Sequence, residues 1–273
     1  MRSLIAIPVF NEARHLDDVL DEVLSLNDHV LVVDDGSTDE TGGLLDRRDD
    51  IEVIRHPANR GYGKSLIDAF AFARRRRFDW LITMDCDRQH EPAQIAQFLE
   101  VAGCCDCDLV SGSRYRVELP RNDPAPADRR AINQAMTRLL NDLLGLRLTD
   151  SFCGYKAHRV AALDWLTLTE TGYAFPMQFW VQAARASLRM RELPVRVIYN
   201  DPNRSFGARL DDPAIRLQHY TDVLLTELIR PAQSPWQMMR LAGLAPPADL
   251  PVAATVHTAL DRDAASGSNT CHE

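Results

Sequence analysis

Five short apolar runs, SLIAIP, HVLVVDD, IEVIRH, WLITMD and DLVSGS, recur through the first 113 residues and constrain the fold more than any other feature. Between them, residues 16–26, 40–48, 64–77 and 93–101 carry apolar side chains at three- and four-residue spacing, the period of an amphipathic helix. Strand–helix–strand alternation with continuously apolar strands predicts an α/β fold: a mostly parallel twisted sheet with helices on both faces. In such sheets ligands bind beyond the carboxyl ends of the strands. The polar clusters of this chain fall there: Asn11 and Glu12 after the first run, Asp34 to Ser37 after the second, Asp85 to Asp87 after the fourth.

The second half reads differently. A Pro-rich loop over 117–128 leads into a long amphipathic helix over 130–144, ended by Gly145. A short segment over 148–155, helices near 158–168 and 176–186, a strand over 191–199 and a helix over 213–229 follow. From Pro231 the chain is Pro-rich without clear period and ends AASGSNTCHE, which predicts a docking segment and a disordered tail. The division expected is therefore a folded domain over 1–230, split near 114 into two halves, and a C-terminal segment over 231–273.

A net charge of −8 argues against a nucleic-acid binder, which needs a basic face. The apolar opening MRSLIAIP is too short for a secretory signal, and no window reaches the ~18 apolar residues of a membrane span, so a cytoplasmic protein is expected. Cys104, Cys105 and Cys107 form a tight group without a second Cys/His pair at zinc spacing, and read as buried thiols.

Asp85 and Asp87, at i and i+2 on an extended segment, present two carboxylates to one side. Such a pair repels itself unless a cation lies between the two. Oxygen donors select Mg²⁺ or Mn²⁺, with phosphate oxygens and water completing the shell. Alone, the pair reads equally as a turn or a solvated edge.

PVFNE, VVDDGSTDET, NRGYGKS, MDCDRQHEP and GSRY occur in order, and the series resembles the family 2 glycosyltransferases of the GT-A fold. The finer spacing is similar to the branch containing dolichyl-phosphate mannose synthases and related polyprenyl-phosphate sugar transferases. That resemblance implies a nucleotide-sugar pocket lined by Pro8, Phe10, Glu12, Asp35, Asp85, Cys86 and Asp87, with Phe10 where tyrosine is commoner. It implies a metal held by Asp87 and Gln89, with Asp85 beside it reaching sugar or ribose, and Arg114 of GSRY meeting the donor. Arg204, in RSFG, would close over the diphosphate on a mobile lid, and Arg209 would stand in for a lysine the family has where this chain has Leu210.

Two departures bear on catalysis. The family usually has glutamate where this chain has Gln178, a position related to the general base of other members, and an amide cannot take up a proton near neutral pH. Asp150, in TDSFCGYK, is the nearest surviving carboxylate for a base role, or else a turn cap. The resemblance thus implies a Mg²⁺- or Mn²⁺-dependent inverting transferase moving a sugar from a UDP- or GDP-linked donor to a saccharide or polyprenyl-phosphate acceptor. A phosphate nucleophile needs no base, which favours the lipid phosphate. A peripheral membrane contact through 215–244 is one reading; packing of that segment on the catalytic domain is the other. The rival readings are a non-catalytic nucleotide-sugar binder and a sugar nucleotidyltransferase, although the latter wants a Gly-rich loop that PVFNEARHL lacks.

Overall fold

The computed structural model describes residues 1–104, 106–199 and 206–231. Seven strands form one sheet in the order β3-β2-β1-β4-β6-β5-β7: β1 (Ser3–Val9), β2 (Val30–Asp34), β3 (Glu52–Arg55), β4 (Trp80–Thr83), β5 (Leu109–Ser113), β6 (Lys156–Arg159) and β7 (Met190–Pro194). All pairings are parallel except those of β6, which runs antiparallel to both β4 and β5.

The pleat of β1 divides the core. Leu4 and Ala6 face a layer built from α3 (Tyr62–Arg75), α5 (Ala127–Leu144), α6 (Phe175–Arg185) and α7 (Pro213–Ile229). Ile5, Ile7 and Val9 face the layer of α1 (Leu16–Leu24), α2 (Thr41–Leu45) and α4 (Ile95–Cys104). α7 seats Tyr220 and Leu224 in the first layer, so the helical part of the 215–244 stretch packs on the sheet. Residues 232–273 lie outside the described residues.

Three expectations are corrected. The sequence KAHR has no apolar run and reads as the entry to a helix, yet it forms β6, followed by a 3-10 helix at Val160–Trp165. Pairing on both sides overrides local pattern, with Ala157 opposite Ile82 and Val110. Its polar side chains are accommodated individually: Lys156 donates to the Cys153 carbonyl and lies 5.4 Å from the Trp180 ring centroid, and His158 packs 5.0 Å from Phe70. The strand expected over 191–199 ends at Pro194, which lacks a ladder donor. Beyond it Val195, Val197 and Tyr199 continue by bonding to Ser113, Asn122 and Asp123, which ties down the loop after β5. Cys104 is exposed while Cys107 is buried, so the cysteine group is not uniformly inside; Cys105 is outside the described residues.

Candidate active site

The carboxyl ends of β1, β2, β4 and β5 share one edge of the sheet. At β1, Asn11 adopts φ 58°, a left-handed conformation that asparagine tolerates. Its Oδ1 accepts from the Thr38 and Asp39 amides at 2.8 and 3.2 Å, its own amide donates to Ser37 Oγ, and the Glu12 amide donates to Thr41 Oγ1. The loops after β1 and β2 are thereby knitted into one rim. Phe10 stands 43% exposed on that rim and Pro8 is half-buried beneath it.

Asp35 is 4% exposed, and its carboxylate is largely engaged within the protein. Oδ1 lies 2.6 Å from His56 Nδ1 and accepts from the Arg60 amide, while Oδ2 accepts from the Gly61 amide, both at 2.8 Å. Of roughly four acceptor positions on a carboxylate, three are taken. Gly61 sits at φ 100°, and a Cβ there would come within 2.3 Å of the Thr171 carbonyl oxygen, so only glycine fits this turn.

Asp85 is half-buried. It receives the Tyr62 hydroxyl at 3.3 Å, and its amide donates to His90 Nδ1 at 2.9 Å. His90 is buried, which lowers its pKa; it stacks on Tyr155, which stacks in turn on Phe98. Gly154 closes against the acid: a Cβ would lie 2.6 Å from Tyr62 Oη and 3.1 Å from Asp85 Oδ2. Asp87 is 7% exposed and takes the Gln89 amide at 2.9 Å, an Asx turn that holds both side chains on one short loop. Among the described residues no three His, Cys, Asp or Glu side chains converge as a cage. Asp85, Asp87 and Gln89 are oxygen donors only, which fits Mg²⁺ or Mn²⁺ sharing its shell with phosphate and water. Cys86 is corrected: its side chain is 1% exposed within the core beside Met84, so only its backbone can line a pocket.

Asp150 is also corrected. It is fully buried and paired two-pronged with Arg114, Nε to Oδ2 at 2.6 Å and Nη2 to Oδ1 at 3.0 Å. Asn133 and the amides of Phe152 and Cys153 also donate to Oδ1. Burial alone would raise its pKa, but the Arg114 charge and these hydrogen bonds overcome that and hold it well below the usual carboxylate range. A carboxylate held in this way has its oxygens engaged inside the protein. Arg114 is correspondingly a buttress of the 150–154 loop.

Gln178 is 3% exposed and faces inward. Its Oε1 accepts from the Thr169 and Glu170 amides, and its Nε2 donates to Glu227 Oε2 at 2.8 Å. Gln182 donates to the other oxygen of Glu227, also at 2.8 Å. The position therefore joins α6 to α7.

An aromatic wall, which pattern reading missed, leads away from Asp85. Tyr62 stacks on Tyr173 at 6.1 Å, and Tyr173 meets Phe206 edge-on at 5.5 Å. Phe206 lies between the guanidinium groups of Arg129 and Arg216, at 4.8 and 4.5 Å, and Arg130 covers Tyr115 at 4.8 Å. The pKa of Tyr173 is raised by burial and then by the charges of Asp85, Asp35 and Glu12, so the wall borders the acidic rim. Nothing in the spacing of single Tyr and Arg residues announces this, because Tyr62, Tyr173 and Phe206 come from three distant segments. Arg209 is exposed just before α7; Arg204 lies outside the described residues.

A family model described as glycosyl transferase family 2 matches residues 4–166. The chain is 33% identical to the undecaprenyl-phosphate mannosyltransferase of Micrococcus luteus over 75% of its own length and 87% of that protein. It is 29% identical to the polyprenol monophosphomannose synthase of Mycolicibacterium smegmatis, over 71% and 76%. In fold it resembles the glucosyl-3-phosphoglycerate synthase of Mycobacterium tuberculosis, solved with Mn²⁺, UDP and glucosyl-3-phosphoglycerate. That match has a TM-score of 0.63 at 19% identity and covers 84% of this chain and 81% of the other.

Proposed function

Because the chain belongs to glycosyl transferase family 2, we propose that it moves a sugar from a UDP- or GDP-linked donor at the carboxyl edge of the sheet to a polyprenyl phosphate. The observation that carries this reading is the locking of Asp150 by Arg114. With Gln178 turned to Glu227, neither carboxylate nor amide expected near the acceptor acts as a base. A hydroxyl nucleophile wants one; a phosphate monoester is already an anion. The relatives from Micrococcus luteus and Mycolicibacterium smegmatis, named for undecaprenyl-phosphate and polyprenol acceptors, support the same reading.

The nucleotide lies against Phe10 and the Asp35 turn, and the sugar lies near Asp85. Asp87 and Gln89, with Asp85 beside them, would hold Mg²⁺ or Mn²⁺, which when bound supplies positive charge to the donor diphosphate. A phosphate oxygen of the acceptor attacks the anomeric carbon while the bond to the diphosphate breaks, so the nucleoside diphosphate leaves with the electron pair and the centre inverts. Arg129 and Arg130, held by Phe206 and Tyr115, give the acceptor phosphate a cationic face beside the aromatic wall. Arg209 and Arg204 precede α7 in the sequence and are the candidates for countering charge on the departing diphosphate. Among the described residues no helix is long and apolar enough to cross a membrane, so the lipid would be met at the bilayer surface. Ile215, Leu217, Leu225 and Ile229 of α7 are exposed and offer such a contact.

The test is to incubate the protein with sugar-labelled UDP and GDP donors, undecaprenyl phosphate and Mn²⁺ or Mg²⁺. A lipid-linked sugar is expected, with Asp87→Asn slowing its formation about 100-fold or more. Turnover onto free saccharides alone would overturn the acceptor assignment.

A further inference from the structure

His56 is 5% exposed and lies just beyond β3, with a carboxylate at each ring nitrogen: Asp35 Oδ1 at 2.6 Å from Nδ1 and Asp68 Oδ2 at 2.8 Å from Nε2. Lys64, one turn before Asp68 on α3, donates to the other Asp68 oxygen. At the opposite end Asp35 receives the Arg60 and Gly61 amides. Tyr62 comes directly after Gly61, opens α3, and reaches Asp85 with its hydroxyl.

We infer that His56 is a positioning residue of the donor pocket: the chain Lys64, Asp68, His56, Asp35 fixes the 60–62 turn, and through it sets both the nucleotide wall and the Tyr62–Asp85 contact. This rests on the reading that the donor nucleotide lies at this edge. The ring bridges the two carboxylates, one at each nitrogen, and so links α3 to the end of β2. Burial would raise the pKa of Asp68, and the hydrogen bonds of Lys64 and His56 more than offset this, keeping it ionised. The charged groups facing the ring are Asp35 from the end of β2 and Asp68 from α3, with Lys64 behind Asp68. The neighbouring Arg55 turns to Asp34 and Asp46 instead.

A packing role and a positioning role differ in how the pocket responds to the loss of the ring contact with Asp35. Without that contact Asp35 loses the partner that holds it against the Arg60 and Gly61 amides. Nucleotide affinity and the environment of those two amides then change together. A hydrogen bond to a charged group is strong enough for its loss to weaken binding about ten-fold.

The experiment compares the Arg60 and Gly61 amide resonances and their hydrogen-exchange protection by NMR, without ligand, in the full chain and in His56→Gln. In parallel, calorimetry measures the affinity of UDP and of GDP, each with Mn²⁺. Both amides are expected to shift and to lose protection in His56→Gln, while the tighter nucleotide binds about ten-fold more weakly. Asp68→Asn, one link further out, is expected to shift the same two amides by less, and serves where His56→Gln does not fold. Unchanged amide resonances and protection with unchanged affinity in the variants would overturn the inference. If the wild type binds neither nucleotide, the functional reading fails, and the amide response alone decides the role of His56.

Discussion

Arg114 and Asp150 form a two-pronged ion pair in the interior, with Asp150 fully buried and a further donor from Asn133. A buried pair is sensitive to removal of one partner, because the other charge is left uncompensated. Asp150→Asn is therefore expected to lower unfolding stability by about 3–5 kcal/mol, read as a fall in denaturant midpoint. The sign with pH comes from the depressed pKa of Asp150. Its contribution is present above the unfolded carboxylate pKa of about 3.9 and is lost as pH falls below it toward the folded value. Acid unfolding of the wild type should be steep in that window and flatter in Asp150→Asn.

Placing at position 178 the carboxylate that the family resemblance implies should harm this chain. Gln178→Glu replaces an amide donor 2.8 Å from Glu227 Oε2 with a second acid in a site 3% exposed. Two such carboxylates disfavour each other's charge, so a loss of about 1–3 kcal/mol is expected near neutral pH and less in mild acid. Thermal unfolding at two pH values measures it. Adding Glu227→Gln should recover much of the loss, since the pair is coupled.

Gly154→Ala tests the close packing around Asp85. The added methyl meets Tyr62 Oη at 2.6 Å and Asp85 Oδ2 at 3.1 Å, both ends of side chains that can move. The fold should survive with a stability change under about 1 kcal/mol. Asp85 and Tyr62 are displaced, so transfer should fall about 10-fold or more, a separation that unfolding curves and rates read together.

Much of the fold is legible because β1, β2 and β4 are mostly apolar and almost wholly buried, and the polar residues that follow them mark the site edge. The strand β6 is not, because its polar residues are buried by partners from β4, β5, Phe70 and Trp180 that no local window contains. The same reason separates the two halves of the site. Asp85, Asp87 and Gln89 share one short loop and were read from spacing and family resemblance together. Resemblance alone makes Asp150 the candidate base and Gln178 the substituted base position, and their hydrogen-bond partners lie inside the protein. His56, Tyr173 and Arg129 acquire their roles only through contacts across distant segments.

The most direct measurement of the central claim compares two acceptors that differ only in the phosphate: a polyprenyl phosphate and the corresponding polyprenol, with the same donor and metal. Sugar transfer to the phosphate and at least about 100-fold slower transfer to the alcohol is predicted, because the alcohol needs a base that Asp150 and Gln178 do not supply. Comparable rates onto the alcohol would contradict the account.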